Sequence, residues 1–153
     1  MKRVLSGVIA IIGLVGFNCV FADYEMMNMG NHHHEISIMD TRISLGESPQ
    51  MKQHQLSIMR EHVEAIKSIA GLMAESKFEE ASKIAHAKLG LTPEMQAMCG
   101  MFNNENFEKL GLAFHKSGDD LGDVLKTRDI NASLKALNKM MQYCVECHAT
   151  YRQ

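Results

Sequence analysis

The chain ends QYCVECHATYRQ, running from Gln142 to Gln153. Cys144 and Cys147 stand three residues apart, and His148 follows directly. On a helix that spacing turns both thiols to one side and keeps the imidazole on the same stripe, four residues from the first sulfur. C-x-x-C-H is the arrangement by which two cysteines take the vinyl groups on one edge of a porphyrin and the histidine reaches its iron. The cofactor expected is therefore a covalent haem c, one per chain, with His148 as the metal ligand. Zinc chemistry would need a fourth ligand, usually from a second paired motif, and no second CxxC or HxxxH is present. A thioredoxin-like dithiol would open a helix in a βαβ setting. A local Cys144–Cys147 disulfide, in a haem-free helical module that binds a partner, is the remaining alternative.

The elements that position these residues are helical. Ser48 and Pro49 form a helix start. Leu56, Met59, Val63, Ile66, Ala70 and Met73 then recur at alternating spacings of three and four, the stripe of a bundle helix. A second helix is expected from Phe78 to Leu89, stopped by Gly90. An irregular connector, LGLTPEMQAMCGMFNNEN, leads to a third helix near Asn106. Phe107, Leu110, Phe114, Leu121 and Val124 line that helix, and Gly118 weakens it by about 1 kcal/mol relative to alanine. Asp129 or Asn131 caps a fourth, on which Leu134, Leu137, Met141, Cys144, His148 and Tyr151 repeat the same spacing. Four amphipathic helices with short links predict an all-α chain, an antiparallel up-down four-helix bundle over residues 49–153. No stretch alternates as a half-buried strand does. Residues 23–48 read as a poorly ordered leader, in which His32, His33 and His34 form either a solvated arm or a site for a stray metal.

Lys2 and Arg3, an apolar run from Val4 to Phe17 and the small-residue end at Ala22 make residues 1–22 a signal peptide. The run is short for a membrane span. Cleavage and export to the periplasm are expected, with an uncleaved anchor as the alternative. Cys19 follows Asn18, where lipid attachment needs a small residue. The chain carries 16 Lys and Arg against 18 Asp and Glu, and losing Lys2 and Arg3 makes it more acidic. That excludes nucleic acid as a partner, which needs a basic face. Cys99 is read as a small buried apolar residue, with a disulfide-linked dimer as the alternative. No carboxylate pair, nucleophile–base pair or phosphate loop stands out, so no enzyme active site is expected.

Two segments resemble the cytochrome c′ family, the four-helix class of c-type cytochromes. CVECHATYR is similar to the family's C-terminal CxxCHxxYR, and QLSIMREHVEAI resembles its distal-side helix. The resemblance covers roughly Pro49 to Arg152. It implies thioethers at Cys144 and Cys147, His148 as proximal ligand and Arg152 near that histidine, where a cation tunes the iron. For Arg152 an ordinary cation at a helix C-terminus is the alternative. It further implies Leu56 over the iron, Lys52 where the family often has an arginine near a haem propionate, and Gln53 beside it. An apolar Leu56 leaves the iron five-coordinate and open to nitric oxide or carbon monoxide. A shift of one turn makes Met59 the sixth ligand of a low-spin electron carrier. A second imidazole from His54, His62, His86 or His115 is a further alternative, but His54 and His62 fall off the expected stripe, and solvated or supporting roles are expected for them. A redox partner protein and a homodimer through crossing first helices also follow from the resemblance.

Overall fold

The computed structural model describes residues 39–153; the expected signal peptide and the His32–His34 run lie outside them. The described part is predominantly helical. After β1 (Ile43–Ser44) come α1 (Pro49–Ala74), α2 (Phe78–Ile84), a π-helical turn that continues it (Ala85–Leu89), α3 (Pro93–Cys99), α4 (Glu105–Leu125), α5 (Ile130–Thr150) and β2 (Tyr151–Arg152). Local chemistry sets the starts. The Ser48 hydroxyl accepts the Met51 N–H, Thr92 the Met95 N–H and Asn104 the Phe107 N–H, while the Asp129 carboxylate accepts from Asn131 and Ala132. Each side-chain oxygen satisfies a helix N–H that has no partner inside the helix. The connector expected to be irregular thus contains a short capped helix, α3.

The extended close approaches run α1 with α2, α2 with α4, and α4 with α5, with α3 laid on α4. Ile69, Leu89, Leu121, Leu125 and Met140 are fully buried at their junction, each contributing on the order of 2 kcal/mol by leaving water. Two glycines let α4 touch the π-helical turn that continues α2. A Cβ at Gly118 would collide with the Leu89 backbone, and one at Gly122 with the His86 ring. Gly118, costly to an isolated helix, is what this crossing requires. Nearby, Asp119 accepts from the Leu91 N–H at 2.9 Å and holds His86 Nδ1 at 2.8 Å. The expected solvated face at Gly118–Asp120 is in part a clamp between two helices.

The buried face of α1 differs from the expected stripe. Gln55, His62, Ala65, Ile69 and Met73 are buried, whereas Leu56 is 37% and Val63 67% exposed and Ala70 is exposed. The reason is the helical period. At about 100° per residue, Gln55 lies five whole turns before Met73, and Leu56 is roughly 100° round the barrel from it. A strict three-four alternation drifts by about 20° per heptad on a straight helix. The same drift acts on α5, where Ser133, Leu137 and Met140 are buried and Leu134 and Met141 are half exposed.

Residues 39–48, expected as the tail of a poorly ordered leader, are held against the C-terminus. Ile43 and Ser44 pair in parallel with Tyr151 and Arg152, and the Arg42 guanidinium donates to the His148 carbonyl at 3.3 Å. Pairing this short needs no alternating pattern, which is why the strand signal is missing from the sequence.

Candidate functional site

Helix α5 carries Cys144 and Cys147 within about 60° of each other and on the side of Met140, whereas His148 sits about 80° round from Met140. Both thiols are half-buried and His148 is exposed. All three line one cavity of ≈ 250 Å³. Its other walls come from α1 through Ile58, Met59, His62 and Ile66, and from α4 through Leu110 and Phe114, with Cys99 and Phe102 closing it between α3 and α4. The walls are almost wholly apolar. Cys144, Cys147 and Cys99 are all free thiols. Burial pushes the Cys147 thiol up to about 11, with Cys144 beside it adding to the rise. Burial also raises Cys144 and, with Glu108 nearby, Cys99. All three are therefore neutral at pH 7, so none is a ready thiolate for nucleophilic or redox attack.

Among the described residues no three Cys, His, Asp or Glu side chains converge to hold a metal ion, Cys144, Cys147 and His148 included. The chemistry of these three fits a porphyrin: two neutral thiols on one helix side, an imidazole next to them, and an apolar chamber in front.

On α1 the expected stripe residues Met59, Val63 and Ile66 line the cavity, Leu56 does not, and Gln55, Ile58 and His62 line it as well. Gln55 is buried and accepts from the Gln153 amide at 2.7 Å. Lys52 is half-buried and Gln53 exposed, both outside the cavity. Lys52 stands close enough to Glu47 to oppose the rise that burial imposes on that carboxyl.

His62 is the residue that pattern reading missed. It is buried to 9% exposure, packs at a tilt against Phe114 at 4.9 Å between centroids and meets His115 edge-on at 5.4 Å. Burial first, and His115 second, pull its pKa down to about 4, so it is neutral at pH 7. His115, also buried, has its Nδ1 3.0 Å from the Leu89 carbonyl, which fixes that nitrogen as the donor. Counting whole turns back from Met73, rather than extending the three-four stripe, would have found His62.

Arg152 is not beside His148 on a helical face. Tyr151 leaves the helix with extended backbone, φ −117° and ψ 152°. This buries its ring against Phe107 at 5.2 Å and brings its hydroxyl 3.4 Å from the Asn104 side chain. Arg152 then points to Asp40, at 3.8 Å. The order of the last residues is thus set by seating the tyrosine.

No family model, curated protein or solved structure matches this chain. Among the described residues no helix is long and apolar enough to cross a membrane.

Proposed function

We propose that this chain is an exported, periplasmic haem protein of the cytochrome c′ type, with its helices arranged as an up-down bundle. The observation that carries the reading is that Cys144, Cys147 and His148 are all walls of one apolar cavity. Cys144 and Cys147 would hold a porphyrin covalently as thioethers, and His148 would bind its iron. When bound, haem supplies a one-electron couple and an iron site for diatomic gases.

The remaining residues do what this chemistry needs. Ile58, Ile66, Leu110 and Phe114 give the chamber mostly apolar walls that disfavour water and ions and admit a neutral diatomic such as nitric oxide or carbon monoxide. The strap of residues 39–44 holds the backbone at His148 through Arg42, which keeps the end of α5 from fraying. A second reading rests on Met59, which lines the cavity: as sixth ligand it makes the protein a low-spin electron carrier for a redox partner. The function in either case is binding and electron exchange rather than catalysis.

The test is spectroscopic. Exported, purified protein is expected to be coloured, to keep its pigment through acid acetone, and to give a reduced pyridine complex typical of two thioethers. Colourless protein, or pigment that washes out, overturns the proposal.

A further inference from the structure

We infer that His62, on the α1 wall of the same cavity, would bind the iron together with His148, so that the iron would be held by two histidines rather than left open or bound by methionine. The inference rests on the haem reading above and concerns only what stands on the α1 side of the same cavity.

A buried polar side chain normally has a hydrogen-bond partner. His62 is more than nine-tenths buried and lines the apolar cavity. Among the described residues neither of its ring nitrogens makes a hydrogen bond, and neither belongs to the atoms sealed off inside protein. What the ring touches is Phe114 and the edge of His115, and neither contact uses a nitrogen lone pair. A neutral imidazole presented in this way has a lone pair directed at no protein donor, which is the form in which histidine binds metals.

His115 also lines the cavity but stands on α4; it gives its Nδ1–H to Leu89 and keeps its Nε2 lone pair. Gln55 is taken by Gln153. His54 is exposed and off the cavity. Met59 is half-buried in an apolar wall, and a thioether there is satisfied by packing alone. His62 is the wall residue on α1 that presents an imidazole to the cavity. Phe114 and His115 hold its ring plane, so little side-chain freedom remains to be lost on coordination.

The experiment uses the full-length, exported, pigmented protein. Its ferric form is expected to be low-spin by electron paramagnetic resonance and to lack the weak far-red band of methionine-ligated haem. His62→Ala converts the spectrum to high-spin and speeds carbon monoxide uptake by the reduced protein, while Met59→Ala leaves both unchanged. His62→Met guards against a poorly folded alanine variant: it stays low-spin and gains the far-red band. A wild-type protein that is coloured but high-spin overturns the inference and leaves the haem reading standing. So does a far-red band that Met59→Ala abolishes. Absence of covalent pigment overturns both.

Discussion

The rotation of α1 decides which side chains face the cavity, and a pair of core substitutions reads it directly. Ile69 is fully buried. Ile69→Ala removes three carbon atoms from the core, a transfer loss of about 2.4 kcal/mol at roughly 0.8 kcal/mol per methylene. The unfilled space adds to this, giving about 3–4 kcal/mol in all. Against a total stability on the order of 5–15 kcal/mol this is a large fraction, and it lowers the melting temperature by roughly 10 °C. Val63 belongs to the stripe expected from three-four spacing yet is 67% exposed; Val63→Ala is expected to change stability by no more than about 0.5 kcal/mol. Urea denaturation followed by far-ultraviolet circular dichroism gives both values with a common slope. A loss of 1 kcal/mol or more for Val63→Ala, with a smaller one for Ile69→Ala, would place the helix one residue round from where it is described. His62 would then leave the cavity and Leu56 would enter it.

Gly118→Ala, stabilising by about 1 kcal/mol in an isolated helix, is expected here to destabilise, because the new Cβ meets the Leu89 backbone; thermal melts of the variant check the sign. Acid is expected to weaken the haem-free Cys144→Ala/Cys147→Ala chain through His62. Its folded pKa is about 4 against 6.5 ordinarily. The unfolded chain therefore takes up a proton first as pH falls, stability is complete above about 6.5, and it declines toward pH 4 with a ceiling of roughly 3 kcal/mol. His115 shifts in the same direction. His62→Leu should remove most of the slope in urea midpoints between pH 7 and 4.5; an unchanged slope would mean that His62 is solvated.

Residue types and local spacing were enough to specify the helices and their caps. Ser48, Pro49 and Asp129 stop or start backbone hydrogen bonding whatever the rest of the chain does, and the thiols and imidazole of CVECH are close in space because they are close in sequence. That all three line one cavity, together with Met59 and His62, could not be read locally. A periodic stripe fixes a helical face only to within the error of its period. Over the five turns from Gln55 to Met73 the difference between 3.5 and 3.6 residues per turn grows to about half a residue position, enough to shift the choice from Gln55, His62 and Ile69 to Leu56, Val63 and Ala70. Arg152 was misplaced for a related reason, since a helical wheel assumes that the helix continues and Tyr151 ends it to reach Phe107. Only packing against α2 and α4 selects the rotation of α1, because the energy that distinguishes one face from its neighbour is the burial of Ile69, Met73 and Leu121 against each other, and those contacts join residues far apart in the chain.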